Sequence, residues 1–302
     1  MSRIHAIILT LNESVHIARC IESFKDEVES ITVIDSGSTD GTVEIAEKLG
    51  AEVIRHPWKN YATQLNFGIS TLAAKGGWLL RIDADEVLDR ATPCRLADVV
   101  SQAERDCDGV LVRRRIYFLG RRMKHGAIEP SWQLRLWRNG RGRCEQRWMD
   151  EHVIVQGKVR KSDVVISDIN LNSLTWWTAK HNQYASREAI DQLNVRFDFL
   201  KADKLPVSGA SPQARARRFL KEAIYLRTPA GIRTIAYFLY RYLIRLGFLD
   251  GRPGFYFHFL QGLWYRGLVD AKVFEIEELA KQEGVSIAAA IKERTGFVVD
   301  AG

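Results

Sequence analysis

The chain has 302 residues, of which 46% are hydrophobic and 27% charged, and its formal net charge at pH 7 is +7. This length and apolar content allow a sizeable core, which excludes a disordered tail and a disulfide-held miniprotein. The four cysteines lie far apart, without the spacing of a zinc site. We therefore expect reduced cysteines and a cytoplasmic protein.

Short β-rich runs alternate with helical stretches up to about residue 90. Strands are predicted at 5–11, 30–35, 51–56 and 77–83, with amphipathic helices between them. The apolar run of the first strand is not followed by a small-residue cleavage site, so we do not expect a signal peptide. The alternation predicts a parallel α/β sheet of the nucleotide-binding type, whose ligands lie beyond the carboxyl ends of the strands.

Downstream, the pattern changes twice. Residues 108–167 are typical of further strands, and a helix-rich region begins near Leu174. We predict a catalytic α/β domain over residues 1–170 and a helical region over 171–302.

Four carboxylates follow the fourth predicted strand in the stretch RIDADEVLD. Asp83 and Asp85 can point the same way because side chains alternate along an extended chain. Their repulsion is costly unless a cation compensates it, and Mg²⁺ or Mn²⁺ prefers such oxygen ligands. An Asp-x-Asp triplet also occurs at helix N-caps. We expect Glu86 and Asp89 to face solvent or to cap the following segment.

A second polar cluster, VIDSGSTDGT, ends the second strand. Asp40 and Gly41 are explained by a turn and the start of a helix. Asp35 is left unexplained by that interpretation. It is expected at a strand end that faces the same crevice as Asp83.

Together, the motifs AIILTLNE, IDSGSTDGT, QLNFGI and RIDADE occur in an order that resembles the inverting family-2 glycosyltransferases with the GT-A fold. The similarity continues through SWQLRLWRNG and WMDEHV. The later GFLDGRPGF resembles the bacterial subgroup that builds lipopolysaccharide cores and related glycans. The resemblance to the family is strong over roughly residues 4–153 and weaker beyond them.

The resemblance assigns roles to individual positions. Asp85 is implied as the direct metal ligand, and Asp83 as a residue directed at the ribose and the metal. Asp35 matches the carboxylate that hydrogen-bonds the nucleotide base. The full implied nucleotide-binding set is Thr10, Leu11, Asn12, Glu13, Asp35, Ser36, Gly37, Gln64, Asn66, Asp83 and Ala84.

An inverting transfer also needs a carboxylate that deprotonates the acceptor hydroxyl. The resemblance aligns Glu151 with that base and puts Asp150 where a histidine often stands, so either residue is a candidate. A purely structural pair is the other interpretation. His152 is a metal or phosphate ligand, or a packed or surface histidine.

Basic and aromatic residues suggest an acceptor-binding surface. The run 113–126 is either a solvated face or a platform for phosphate or acidic sugar, since arginine forms bidentate contacts with both. Arg135 and Arg138 are candidates for the pyrophosphate or acceptor edge. Trp132 and Trp137 either stack on sugar rings or are buried.

The stretch 233–269 combines basic and apolar character. Arg233, Arg241 and Arg245 recur at a helical spacing, which predicts an amphipathic helix with a basic edge. Its apolar runs are too short to span a bilayer, so we expect attachment to an anionic membrane surface. A helical subdomain buried on the first domain, or a homo-oligomer interface, is the alternative.

The resulting hypothesis is an inverting, metal-dependent transferase that moves a sugar from a nucleotide, with UDP favoured, to a lipid-linked or lipopolysaccharide-type acceptor. We expect it on the inner face of the cytoplasmic membrane. Polyprenyl phosphate as acceptor, or a non-catalytic nucleotide-sugar-binding protein, are the alternatives. A dinucleotide oxidoreductase is disfavoured because LTLNES stands where a GxGxxG turn is required. No nucleic-acid-binding motif is recognised, so no nucleic acid partner is expected.

Overall fold

The computed structural model describes residues 3–89, 94–145, 152–197, 199 and 229–299. The chain divides into two compact units, and it passes from the first to the second between Leu171 and Asn172. The two candidate bases, Asp150 and Glu151, lie outside the described residues.

The first unit contains eleven described strands and four described helices. The strands are β1 (Ile4–Thr10), β2 (Ser30–Asp35), β3 (Glu52–Arg55), β4 (Trp78–Arg81), β5 (Glu86–Leu88), β6 (Gly109–Phe118), β7 (Arg121–Met123), β8 (Ser131–Arg138), β9 (Gly142–Cys144), β10 (Val153–Val155) and β11 (Val159–Ile169). The helices are α1 (Ile17–Phe24), α2 (Thr42–Lys48), α3 (Tyr61–Thr71) and α4 (Leu96–Ala103).

Among these strands, nine form one sheet in the order β3-β2-β1-β4-β8-β6-β11-β5, with β7 paired to β6. The first four are parallel neighbours, whereas β8 runs antiparallel to both β4 and β6. The prediction of a parallel sheet is therefore confirmed only for β1 to β4. Strands β9 and β10 form a separate antiparallel pair.

The sheet is covered on both faces, as the continuous apolar content of the early strands predicts. Along β1, Ile4, Ala6 and Ile8 belong to one apolar cluster, which includes the buried side of α1. Ile7 belongs to the other cluster, with Leu65 of α3. This period of two is the geometry of an extended chain, and it packs both faces of β1 against apolar residues.

The predicted early strands and helices are present within a few residues of their expected bounds. Strand β5 and helix α4 were not expected from the sequence. Strand β5 is only three residues long, and its pairing with β11 involves residues about eighty positions away in the chain. Local patterns carry no information about such a pairing.

The second unit is helical in its described part. It contains α5 (Leu174–Phe197), α6 (Ile232–Leu239), α7 (Gly251–His258), α8 (Tyr265–Glu283) and α9 (Ile287–Thr295). Two π-helical segments, Tyr240–Ile244 and Phe259–Trp264, continue α6 and α7. Apolar residues of α5, α8 and α9 form its core, among them Ile190, Val273 and Ile291. The predicted helical C-terminal region is confirmed.

None of the helices in the described residues is both long enough and apolar enough to cross a membrane.

Candidate active site

Acidic and polar residues meet at the carboxyl edge of the parallel strands. Thr10 ends β1 and is paired in register with Asp35, which ends β2. Asp83 follows the last residue of β4 by two positions on the other side of β1. Because β2, β1 and β4 are parallel neighbours, these three positions lie along the same edge.

Asp35 organises the loop that follows β2. It is fully buried, and its carboxylate accepts hydrogen bonds from the Thr10 and Ser38 hydroxyls and from the Gly37 and Ser38 amides. Burial raises its pKa, but these bonds outweigh burial and leave the pKa below its ordinary value. An ionised carboxylate offers about four acceptor positions, and all are used here. Asp35 therefore holds the loop in shape in this structure, and its expected contact with a nucleotide base stays a prediction.

The loop after β1 is joined to the loop after β2. Asn12 has a φ of 57°, and its side-chain oxygen accepts a hydrogen bond from the Thr39 amide at 2.9 Å. Asp40 accepts hydrogen bonds from the Ser14 and Thr42 amides, which confirms its place at the start of α2. Desolvation raises the pKa of Asp40, but the hydrogen bond from the Thr42 hydroxyl, together with the amide bonds, outweighs it and lowers the pKa to about 2. The two loops form one preorganised surface, on which Leu11 is exposed.

Glu13 faces away from this surface toward a buried histidine. The Leu171 amide donates to Nε2 of His16 at 2.9 Å, so the proton of the neutral ring lies on Nδ1. That Nδ1 is 2.6 Å from the Glu13 carboxylate. Glu13 and His16 thus tie the first loop to the end of the first unit.

Helix α3 contributes two amide side chains with different roles. Gln64 is buried and donates to the Ser36 hydroxyl at 2.8 Å, which places it at the predicted site. Asn66 instead pairs with the backbone amide and carbonyl of Cys144 in β9. The expected nucleotide contact of Asn66 is corrected, since both ends of its amide are used to hold that strand.

Asp83 is held by guanidinium groups. Arg81 donates to both of its carboxylate oxygens at 3.0 Å, and Arg135 donates to Oδ2 at 3.1 Å. Burial raises the pKa of Asp83, but the two arginines outweigh it and hold the pKa well below its usual range. Two neighbouring arginines compensate the charge of Asp83 without a metal ion.

Glu86 is buried, whereas the sequence suggested that it faces solvent. Its carboxylate contacts Arg135 and lies 3.2 Å from Nε of Arg114, and it also accepts a hydrogen bond from the Asp83 amide. Burial raises its pKa to about 7, although both arginines act in the opposite direction. The reason for the error is that Glu86 begins a strand whose alternation directs it inward.

Asp85 has a different environment. Its side chain is half-buried, and Oδ2 accepts a hydrogen bond from the Asn170 amide at 3.1 Å. Its backbone carbonyl accepts hydrogen bonds from Arg19 and from the Ile169 amide. Backbone contacts therefore fix the position of Asp85, and within the described part of the chain no arginine forms a hydrogen bond or ion pair with its carboxylate. Ala84, which lies between Asp83 and Asp85 in the chain, is buried.

The arginine run after residue 113 is largely paired with carboxylates. Arg114 donates to Asp168, Arg115 to Asp89, and Arg122 to Glu129. Asp89 is accordingly an ion-pair partner, and the residues directly after it, 90–93, lie outside the described part of the chain. For these three arginines both predictions, a solvated face and a free platform for the acceptor, are therefore wrong.

The structure also corrects two candidate acceptor residues, Arg135 and Arg138, and it distinguishes between the two alternatives for Trp137. Arg135 is 1% exposed and forms ion pairs with Asp83 and Glu86. It is therefore a buried partner of these carboxylates and does not lie on an acceptor-binding surface. Arg138 is paired in register with Trp78 at the start of β4, which is the opposite edge of the sheet. Trp137 is fully buried, whereas Trp132 lies half-buried with the Lys161 ammonium 4.9 Å from its ring.

Several residues that shape the site were missed from the sequence. Arg19 and Asn170 hold Asp85, while Arg114 and Asp168 extend the buried network around Glu86. Asp168 and Asn170 occur at the end of an apolar strand run, VVISDIN, and that position is the signal that could have revealed them. Arg19 carries no such signal.

Within the described residues, no group of three or more His, Cys, Asp or Glu side chains is arranged to hold a metal ion. Asp85 nevertheless fits as a single carboxylate ligand, because oxygen is the donor that Mg²⁺ and Mn²⁺ prefer.

The mixed sheet, with acidic loops at the carboxyl ends of its parallel strands and a helical region after it, resembles the GT-A fold that the sequence motifs predict. The model of Glycosyl transferase family 2 matches residues 5–160, so the chain belongs to that family.

Relatives agree with this assignment. The chain is 29% identical over 289 residues to the lipopolysaccharide core biosynthesis glycosyltransferase LpsC of Rhizobium meliloti, covering 94% of this chain and 96% of LpsC. It is 49% identical over 90 residues to an uncharacterized glycosyltransferase of Rickettsia felis, covering 30% of this chain and 31% of that protein. The match therefore spans about a third of the Rickettsia relative.

A solved structure is also similar. Glucosyl-3-phosphoglycerate synthase from Mycobacterium tuberculosis, in complex with Mn²⁺ and UDP-glucose, is 25% identical over 38% of this chain and 44% of its own, with a TM-score of 0.31.

Proposed function

We propose that this glycosyltransferase transfers a sugar, with inversion, from a UDP-sugar to a lipid-linked or lipopolysaccharide-type glycan at the inner face of the cytoplasmic membrane. The observation that carries the proposal is the environment of Asp85. It is a half-buried carboxylate fixed by Asn170 and Arg19 at the edge where nucleotides bind in open α/β sheets. Its neighbours Asp83 and Glu86 are instead engaged by arginines.

The nucleotide is assigned to the joined loops after β1 and β2. Asn12, Ser36 and Gly37 border this surface, and Asp35 holds it in shape from within. Gly37 has a φ of 100°, and a side chain at such a position would strain the loop. A loop that is ordered before binding loses little conformational entropy when the nucleotide arrives.

Asp85 would hold the divalent cation. When bound, the cation supplies positive charge that stabilises the diphosphate leaving group. Asp83 would support the ribose side of the donor, with its carboxylate oriented by Arg81 and Arg135. The base that deprotonates the acceptor hydroxyl is Glu151 or Asp150, both outside the described residues.

The acceptor class is supported by the similarity to LpsC, which extends over nearly the whole of both chains. Similarity of that length includes the helical second unit as well as the nucleotide-binding region.

Thermal unfolding with nucleotides tests the donor site. We expect UDP with Mn²⁺ to raise the unfolding temperature more than GDP or dTDP, because a ligand that binds only the folded state stabilises it. Asp85→Asn should abolish the Mn²⁺-dependent part of the shift. Asp163→Asn is the matched control, since that carboxylate is exposed and lies on β11. An unchanged Mn²⁺ response in Asp85→Asn would refute the assigned metal ligand.

Turnover tests the rest of the proposal. The assay measures the release of UDP in the presence of lipid-linked acceptor, for Glu151→Gln and for Asp150→Asn. The variant that removes the catalytic base should release UDP at least about 100-fold more slowly. The product anomer, read by NMR, should be inverted relative to the donor. Full turnover in both variants, or a retained anomer, would overturn the mechanism.

A further inference from the structure

The second unit carries an unusual distribution of polar and apolar residues. Arg233 and Arg241, which the sequence placed on an exposed basic edge, are 4% and 6% exposed. The side chains that replace them on the surface are apolar. They are Ile232, Ile235, Leu239, Tyr240, Leu243, Ile244, Leu246, Phe248, Leu249, Phe255, Tyr256 and Phe259, which we call the apolar surface.

Two buried carboxylates of this unit are paired with arginines and hydroxyl groups. Arg233 donates to both oxygens of Asp270, and Thr234 donates to the same carboxylate at 3.1 Å. The Glu188 carboxylate accepts from Tyr265 at 2.8 Å and from Arg266 at 2.6 Å. Charges inside and apolar groups outside are the reverse of the arrangement that water favours.

The segments that carry the apolar surface are packed together. The ring of Tyr242 lies 6.3 Å from that of Phe248 and 5.7 Å from that of Phe255, between ring centroids. Phe238 and Phe259 are also in contact, with centroids 6.5 Å apart. Twelve large apolar side chains are therefore exposed on one packed pair of helical segments, which is far more than scattered exposure on a soluble protein.

Charge distinguishes between the occupants that could cover this surface. Residues 232–259 contain one acidic side chain, Asp250, and it is buried. The exposed charges of this segment are Arg245 and Arg252, and neither has an ion pair in the described part of the chain. A second copy joined through the same surface would bring the same two cations and no exposed carboxylate. Anionic phosphates at the edge of an apolar phase meet both requirements.

We infer that residues 232–259 bind the interface of an anionic phospholipid bilayer, with the apolar surface among the acyl chains and with Arg245 and Arg252 at the lipid phosphates. Tyr240, Tyr242 and Tyr256 suit the headgroup depth, because each has an apolar ring and a polar hydroxyl. The inference rests on the proposed function in one respect, since a lipid-linked acceptor would lie in the same bilayer.

Vesicle flotation of the full chain tests the inference. Wild-type protein should float with phosphatidylcholine vesicles that contain roughly 30 mol% phosphatidylglycerol, and more weakly with phosphatidylcholine alone. Leu243→Glu/Ile244→Glu should reduce partitioning by about tenfold or more, because both side chains would leave the apolar phase. Ile244 is 72% exposed, so the change leaves the core of the protein intact.

Two further variants separate the contributions. Phe274→Glu is the matched control, because Phe274 is 65% exposed in the same unit but lies on α8, outside residues 232–259. It should leave partitioning within about twofold of wild type. Arg245→Gln/Arg252→Gln should weaken binding to anionic vesicles and remove most of its sensitivity to about 0.5 M NaCl.

Absence of wild-type flotation, or equal losses in Phe274→Glu and Leu243→Glu/Ile244→Glu, would overturn the inference. So would a stable dimer in light scattering that the double change dissociates while vesicles are not bound. The UDP-induced thermal shift is measured on the same samples. A normal shift without flotation refutes only the membrane surface, whereas flotation without a shift refutes only the donor site.

Discussion

Replacing Arg135 by methionine probes the network beneath the candidate site. Arg135 is 1% exposed and contacts the carboxylates of Glu86 and Asp83. The change leaves Glu86 buried without its principal cation, although Arg114 lies 3.2 Å away. Removing one partner of a buried ion pair costs about 3–5 kcal/mol.

The cost should depend on pH. The folded-state pKa of Glu86 is about 7 and its ordinary value is 4.5, so its contribution to stability is lost as the pH rises from 4.5 through 7. Above pH 7 the wild-type carboxyl is ionised in both states, and the loss stops. Without Arg135 the pKa of Glu86 rises further, so the variant continues to lose stability as the pH rises above 7. At about 1.4 kcal/mol per unit, the variant should be destabilised by about 2 kcal/mol more at pH 8.5 than at pH 6.5.

Urea unfolding at the two pH values measures this difference. Arg135→Met/Glu86→Gln should recover much of the loss, because no buried charge is left unpaired there. Arg138→Met on the same strand is the control, and loss of its partly exposed pair with Asp108 should cost about 1 kcal/mol or less. A loss in Arg135→Met that is independent of pH, or one that Glu86→Gln does not relieve, would refute the reasoning.

Substitutions at three other positions, one of them with a control variant, have expected outcomes. Gly77→Ala should destabilise by about 2–4 kcal/mol in urea unfolding, because its Cβ would lie 2.4 Å from the Arg3 carbonyl oxygen. Gly76→Ala is the control: it has the same φ of 67° and open space, so backbone strain alone should cost less than Gly77→Ala, about 1–3 kcal/mol. Asn66→Ala should cost about 1–3 kcal/mol, since two backbone groups of Cys144 lose their partner, and equal stability would contradict that role. Burial lowers the pKa of His258 to about 4, so stability should fall as the pH drops from 6.5 to 4. His258→Gln should flatten that slope of unfolding free energy by up to about 1.4 kcal/mol per pH unit, and an unchanged slope would show that His258 does not cause it.

Much of the first unit could be predicted from local patterns. The apolar runs of β1, β2 and β4 are buried on both faces, and such runs are visible in a short window of sequence. The prediction that Asp40 lies at the turn before α2 was also correct. Its side chain accepts hydrogen bonds from Thr42, two positions away, and from Ser14 in the neighbouring loop. The placement of Gln64 beside Ser36 agrees with its predicted position, while its role in binding a nucleotide stays a prediction.

Errors arose where a side chain depends on a distant partner. Glu86 was expected in solvent, yet it is buried against Arg135, which is 49 positions away. Asn66 was expected to face the nucleotide, but it binds backbone 78 positions away. Arg233 was expected on a basic edge, and it pairs with Asp270, 37 positions away. A helical or extended period indicates which residues share a face, but not what that face packs against.

The sequence by itself determined the family, the order of the early strands and the acidic loops that end them, because these follow from backbone geometry and short-range spacing. Only the tertiary structure decided which charges are neutralised. Asp83 and Glu86 meet arginines, whereas Asp85, between them, meets an amide. Likewise, Arg233 is buried and Arg245 is exposed on the same helical stretch. The physical reason is that desolvation and ion pairing depend on every group nearby in space, and most of those groups are far away in the chain.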